Sequence, residues 1–580
     1  MALLKKKTGK RSASRMARLT TSGGGSGSEI SPLRPQYVEK LPPCTGHCPS
    51  GNDIRGWLGV IAQRDKLGLT LEEACDRAWE IEVATNPFPA VMGRVCPHPC
   101  ENECNRTAKD GAVAINSVER FIGDWGLERK LPLPRLDTGG PHREKVAVVG
   151  AGPSGLSVAY QLARRGYGVT IFEALPKPGG MLRYGIPEYR LPRAVLDAEI
   201  TRILDLGVDL QCGTAVGDGT TLDDIRSRFA AVYLAIGAHK GRTIGIPGED
   251  GPGVYTGTDF LRRVNAGEQV ALGDAVVIIG GGDTAVDAAR VSKRLTADAA
   301  AVSRRMGART TILYRRTRAE MPAIDREIDE AMEEDIAIEF LAAPIKILRG
   351  PDGAVTGLIV QRMELGEPDE SGRRRPIPID GDTFEVACSS VIMAVSQQPD
   401  WESLGTHLSV ESSWLETDAW GRTGIENIWA GGDARGLGLA TISIGQGRRA
   451  AESIHASLRG LELPPTDARP PIGPDRIVLD FYEAKPPAQR SVLTPEERLR
   501  HPFEEADRGL TPEQAIEEAN RCFSCGLCFN CESCWMYCQN SCFKKAANPR
   551  PGFYYTINLA TCDGCKKCWE VCPCGYIDGE

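Results

Sequence analysis

The spacing of apolar and polar positions changes character along this chain. Near the N-terminus, Leu71–Ile81 mixes acids with apolar residues at helical spacing and predicts a polar helix. From Lys145 the pattern turns to short β-branched runs. Lys145–Val149, Val169–Glu173, Ala275–Ile279 and Thr310–Arg316 read as buried strands, and Leu156–Arg165 reads as a helix between the first two. Such runs alternate with Ala- and Arg-rich helices to about Ser457, the signature of an open α/β sheet. The longest apolar runs, such as Ala275–Ile279, fall far short of the ~20 residues of a membrane span.

At 580 residues the chain has room for about four domains of ~150 residues each. A net charge of −8 argues against nucleic acid or an anionic membrane as the main partner. The first 34 residues are basic, with a Gly/Ser run at Ser22–Ser28 and no apolar core of a signal peptide, and are expected to be a disordered tail. A cytoplasmic location is expected with it. The unusual number is 20 cysteines, of which 18 lie between Cys44 and Cys104 or between Cys522 and Cys574. A chain this long, with no secretory signal, has little need of disulfides, so ligation of metal or clusters is the better reading.

Two glycine motifs carry nucleotide chemistry. Gly150-x-Gly152-x-x-Gly155 follows a predicted strand and opens a helix, and Glu173 stands about 20 residues on, where a carboxylate meets ribose hydroxyls. This site fits FAD or NAD. The second motif, Gly280-x-Gly282-Asp283-Thr284-Ala285, also follows a buried strand. Its next strand ends in Arg315 and Arg316 where an NAD site would place an acid, and arginine there can pair with a 2′-phosphate, which favours NADPH over NADH. Later, Ile428–Asp433 carries Gly432 and Asp433, and Thr441 begins the helix that follows. In flavoproteins with two dinucleotide domains such an Asp meets the FAD ribityl chain, and the helix N-terminus faces the flavin. The motif order implies an NAD(P)H domain inserted in an FAD domain. No cysteine lies between Cys104 and Cys212, so a dithiol relay beside the flavin is not expected.

Cysteine spacing at the C-terminus is that of a bacterial ferredoxin. Cys562-x2-Cys565-x2-Cys568-x3-Cys572-Pro573 and Cys528-x2-Cys531-x2-Cys534-x3-Cys538 are two such runs, in each of which three sulfurs bind one 4Fe–4S cube and the fourth binds the other. The expected sets are Cys528, Cys531, Cys534 with Cys572, and Cys562, Cys565, Cys568 with Cys538.

Further motifs extend the picture: Cys44-x3-Cys48-Pro49, Gly93-Arg-Val-Cys-Pro97, Cys100-x3-Cys104, Ala114–Phe121, Gly179–Pro187 and Tyr314-Arg-Arg316. With the glycine motifs, over roughly residues 38–457, the chain resembles the glutamate synthase small (β) subunit family. That resemblance implies two 4Fe–4S clusters in the N-terminal domain, with Cys48, Cys96, Cys100 and Glu119 on one and Cys44 and Cys104 on the other. It also places Gly180 and Met181 at the flavin. The family completes the second set with a CxxC upstream of Cys44, where this chain has no cysteine. Cys522 and Cys525, surplus to the ferredoxin runs, are expected to fold back and complete it, within the chain or across a homodimer; the alternative is a single N-terminal cluster with Cys522 and Cys525 as spares. Cys75, Cys212, Cys388, Cys542 and Cys574 remain as ordinary thiols, with Cys542 or Cys574 open to replacing a ligand.

The expected fold class is α/β: two Rossmann-like domains, one inserted in the other, between a helical N-terminal iron–sulfur domain and a ferredoxin-like α+β tail. The boundaries are 35–140 for the iron–sulfur domain, 141–270 with 387–460 for FAD, 271–386 for NAD(P)H, 461–515 for a Pro-rich linker and 516–580 for the tail. The expected activity is NAD(P)H:acceptor oxidoreduction, hydride passing to FAD and single electrons then passing through four clusters. No side chain acts as acid, base or nucleophile. Expected acceptors are ferredoxin or a partner redox enzyme of the 2-oxoacid:ferredoxin oxidoreductase or dissimilatory sulfite reductase type. An electron-wiring subunit without turnover of its own is the alternative from another class.

Overall fold

A computed structural model of the chain describes residues 33–136, 140–296, 309–370, 372–404, 414–465 and 467–579. All but the last two residues of the expected basic tail lie outside them. Two parallel sheets form the centre. The first has the order Ile428–Ala430, Ala231–Leu234, Lys145–Val149, Gly168–Glu173, Asp209–Cys212. Its middle strands are covered on both faces, which is why they read as unbroken apolar runs rather than alternating ones. Helices Pro153–Ala163 and Ala440–Arg459 pack on it, close enough for the Ser157 hydroxyl to donate to the Ile444 carbonyl at 2.8 Å.

The second sheet has the order Ala337–Phe340, Arg309–Tyr314, Ala275–Ile279, Ser390–Met393, Val254–Thr256. A three-stranded antiparallel sheet, Ala342–Arg349, Val355–Pro368 and Arg374–Ala387, adds a second layer. The inserted unit is therefore larger than 271–386. Val254–Thr256 enters before that span and Ser390–Met393 leaves after it, and the two pair side by side. Where the chain crosses between units, Lys240–Gly241 pairs antiparallel with Gln397–Gln398. Strands of two to four residues carry too little periodicity to mark such a boundary in sequence.

The N-terminal helices behave as patterned. The helix expected over Leu71–Ile81 runs Leu71–Val83, opened by a capping box between Thr70 and Glu73. Helix Ile115–Glu128 packs across Pro89–Val95. The segment expected as a linker is a packed strap instead. Ser491–Val492 pairs with Asp507–Gly509, Arg490 donates to Asn116 and Ser117 at 2.7 Å each, and Arg498 reaches Glu333 at 3.1 Å. Proline density here marks rigid extended backbone, not a loose tether. Helix Pro512–Asn520 then packs on Ile54–Ala62 and Ile115–Glu128, so the tail's first two cysteines belong in space to the N-terminal domain. Beyond them lie two short helices, Ser533–Met536 and Lys567–Glu570, and the hairpin Phe543–Arg550/Phe553–Ile557. The last strand, Ile577–Gly579, pairs antiparallel with the first, Pro35–Tyr37.

Candidate functional site

The first glycine motif turns the chain from Lys145–Val149 into helix Pro153–Ala163 beside a cavity of about 520 Å3. Gly150, Gly152, Glu173, Gly180, Met181, Gly432 and Asp433 all line it. Gly155 does not. A Cβ there would collide with the Gly150 carbonyl, so its part is the close approach of helix to strand. Gly180, at φ +51°, sits against Gly152, and a Cβ on it would come within 2.8 Å of the Gly152 Cα. Glu173 accepts from the Ala151 N–H at 2.6 Å and the Leu175 N–H at 2.8 Å, while burial pushes its pKa up. Asp433 accepts from the Gly438 N–H at 3.2 Å and is pushed up to about 6, also by burial. Leu439, Ala440 and Ser443, at the start of helix Ala440–Arg459, face the same cavity. Thr441 does not line it. Helical geometry turns this side chain to the other side, where its hydroxyl opposes the effect of burial on the Cys96 thiol.

The second motif borders a cavity of about 560 Å3 lined by Gly280, Gly282, Thr284, Arg315 and Arg316. Ala285 is buried in the core, and Asp283 points the other way, accepting from the Ile324 N–H at 3.0 Å and lining the first cavity. Thr284 and Gln397 line both cavities, so the two meet there. The two arginines differ. Arg315 is exposed at the cavity wall. Arg316 is buried, donating to Asp369 and to the Arg374 carbonyl at 2.7 Å each, so its charge is already matched by the antiparallel hairpin. The same hairpin brings in Arg373, a cavity-lining cation that the motif could not signal because it lies 58 residues beyond Arg315.

The terminal cysteines gather in four sets. Cys48, Cys96 and Glu119 lie close enough to Cys100 for their charges to raise its pKa. Cys104, Cys522 and Cys525 do the same to Cys44, and these four line one small cavity of about 20 Å3. Cys528, Cys531 and Cys572 surround Cys534. Cys562 and Cys565 flank Cys568, and Cys538 joins them through Cys542, whose backbone N–H donates to the Cys538 sulfur at 3.3 Å. Cys574 sits with its sulfur 3.9 Å from that of Cys572. Cys75 and Cys388 are buried apart from these sets, and Cys212 ends a strand beside Glu173. Among the described residues no three His, Cys, Asp or Glu side chains converge on a single metal ion. Thiols arranged round a cube stand wider than that. Buried thiols that raise one another's pKa are unfavourable as bare thiolates, and a cationic iron–sulfur core removes the conflict. The donor sets therefore fit 4Fe–4S clusters.

Around Glu119 the sequence hid three partners. Asn86 donates to one carboxylate oxygen at 3.1 Å and Asn116 to the other at 3.3 Å. Glu82 is fully buried beside it, held by Asn52 at 2.6 Å and Asn86 at 3.1 Å and pushed up to about 7 by desolvation. The available signal was Glu82's place on the same helical stripe as Cys75, Ala78 and Trp79, all buried.

Residues 144–447 match the family model described as pyridine nucleotide-disulphide oxidoreductase, and residues 39–131 match dihydropyrimidine dehydrogenase domain II, 4Fe-4S cluster. The chain is 35% identical over 531 residues to the NADPH-Fe(3+) oxidoreductase subunit beta of Geobacter sulfurreducens, covering 84% of this chain and 76% of that one. It is 35% identical over 518 residues to the NADP(+)-dependent formate dehydrogenase subunit beta of Moorella thermoacetica, covering 83% and 70%. It is 34% identical over 444 residues to the glutamate synthase (NADPH) small chain of Azospirillum brasilense, covering 72% and 86%.

Proposed function

Since this chain belongs to the pyridine nucleotide-disulphide oxidoreductase family, in the group of the glutamate synthase small chain, we propose that it carries electrons between NADPH and a ferredoxin-type or partner redox protein through FAD and four 4Fe–4S clusters. It is an NAD(P)H-dependent flavin and iron–sulfur oxidoreductase. When bound, these groups supply hydride transfer from nicotinamide to flavin and one-electron relay between cubes.

One observation carries the reading. Val95 and Pro97, on either side of Cys96, form part of the wall of the flavin cavity. The flavin site thus abuts the first cysteine set directly. From there each set is tied to the next by short chain. Cys44 and Cys48, and likewise Cys100 and Cys104, are four residues apart, and Cys525 and Cys528 are three apart. Cys534 and Cys538, and Cys568 and Cys572, are again four apart. Four residues reach at most about 14 Å. Successive sets are therefore neighbours, and the route runs from the nucleotide cavity to the far tip of the tail.

The residues have separate tasks. Buried Glu173 and half-buried Asp433 are carboxylates placed to hold FAD hydroxyls, and the start of helix Ala440–Arg459 presents backbone N–H groups to the flavin edge. Arg315 and Arg373 are the cations for a 2′-phosphate. Thr284 and Gln397, at the meeting of the cavities, position the two rings against each other. Relatives named as β subunits support work within a larger assembly, and nothing in their names favours a sulfite reductase.

The test is anaerobic reduction of a viologen dye by the purified chain with NADPH, together with iron and flavin content. Dye reduction with about sixteen irons and one FAD per chain is expected. No dye reduction, or about eight irons, would refute the reading.

A further inference from the structure

The tail is built from two half-repeats. Cys528-x2-Cys531-x2-Cys534-Trp535 and Cys562-x2-Cys565-x2-Cys568-Trp569 match position for position. Their backbones match as well. Glu532 at φ 65° and Lys566 at φ 66° are both left-handed and open the helices Ser533–Met536 and Lys567–Glu570. Trp535 and Trp569 therefore occupy equivalent places in the two halves.

Their surroundings differ. Trp569 packs under the last strand, where a Cβ on Gly579 would strike its ring. Trp535 is 44% exposed, next to Met536 at 61% and Tyr537 at 53%. Three consecutive large apolar side chains on the surface are not the scattered exposure of an ordinary protein. They stand between Cys534 and Cys538, which belong to different cluster sets. Lysines flank them. Lys545 lies 5.4 Å over the Trp535 ring, where it also pairs with Glu532 at 3.0 Å, and Lys567 lies 5.9 Å over the Tyr537 ring with Lys566 exposed next to it in the chain. Between Cys528 and Cys572 there are five basic residues and three acidic ones, in a chain whose net charge is −8.

We propose that this aromatic, lysine-flanked face docks a small acidic one-electron carrier protein, delivering or receiving electrons at the last cluster. An aromatic centre within a charged rim is the anatomy of a protein interface, and its complement is acidic. A second copy of the chain fits poorly, because a two-fold contact through this face sets one net-basic surface against another. The inference rests on the electron route proposed above. Each NADPH oxidised to NADP+ releases one proton and supplies two electrons, which reduce two carriers.

The experiment uses the full holoenzyme and the triple variant Met536→Glu, Lys545→Glu, Lys567→Glu, all at exposed positions. The readouts are the rate with a viologen and the KM for a purified acidic 2(4Fe–4S) ferredoxin. The variant is expected to raise the ferredoxin KM about tenfold or more while its viologen rate stays within about twofold. The wild-type KM is expected to rise with ionic strength. An unchanged ferredoxin KM in the variant, or a wild-type KM indifferent to salt, overturns the proposal and leaves the electron route standing. Sedimentation showing a dimer that the variant abolishes overturns it in favour of self-association. A wild-type chain that fails to reduce the viologen refutes the route itself.

Discussion

Replacing Arg315 with Ala tests which cation meets the 2′-phosphate of the nucleotide. A charge-assisted hydrogen bond is worth about 1.5–3 kcal/mol, or roughly 10- to 150-fold in binding. Arg315 is exposed, so solvent screening keeps its effect near the lower end, about 10- to 30-fold. Arg316→Ala is the internal contrast. That side chain is buried and bonded to Asp369 and the Arg374 carbonyl, so its loss weakens the hairpin rather than the nucleotide site. Two such bonds amount to about 3–6 kcal/mol, or a Tm lower by roughly 6–24 °C for a domain of this size. The assay is steady-state viologen reduction with NADPH and with NADH, beside thermal melts. R315A should raise the NADPH KM about 10- to 30-fold, change the NADH KM less than about threefold and leave Tm in place. R316A should do the reverse. If R316A alters the NADPH/NADH ratio more than R315A does, the assignment is wrong.

Three further outcomes follow from other parts of the structure. Cys522→Ser with Cys525→Ser should remove about four irons per chain and one set of EPR signals while the ferredoxin-type pair persists; full iron content would contradict the fold-back. Glu173→Ala strips the acceptor from two backbone N–H groups at about 1–3 kcal/mol each, so FAD should be lost on gel filtration, seen as a fall in the flavin-to-protein absorbance ratio. Glu199 is fully buried and accepts from the Ala90 and Val91 N–H groups, yet desolvation pushes it up to about 8. The folded state then holds a proton that the unfolded state releases above its ordinary pKa. Stability should therefore decline as pH rises from about 4.5 to 8, by up to about 1.4 kcal/mol per unit. Glu199→Gln should flatten that slope in denaturant titrations, and an unchanged slope would show that the carboxyl is ionised throughout.

What the sequence disclosed depended on how local each signal is. Both glycine motifs and the ferredoxin spacings are set within a dozen residues, and the strands that lead into the glycine motifs stand where the apolar runs put them. The edges of the inserted unit did not show, because Val254–Thr256 and Ser390–Met393 become strands through pairing across more than 130 residues. Arg316 looked like a nucleotide ligand until the hairpin that occupies it was in view. Glu82 and Arg373 carried no motif at all. The place of Cys522 and Cys525 was suggested by counting thiols against a family pattern, and helix Pro512–Asn520 is the element that brings them to Cys44 and Cys104.

The pairing of Pro35–Tyr37 with Ile577–Gly579, and of Cys44 with thiols beyond residue 520, has a bearing on biosynthesis. Synthesis runs at about 5–20 residues per second, so some 25–100 s separate the emergence of Cys44 from that of Cys525. During that time the flavin domain can fold, but the iron–sulfur module that precedes it in the chain still lacks half of one thiol set. The iron–sulfur module is thus finished only after the flavin domain that lies between its two parts has been synthesised.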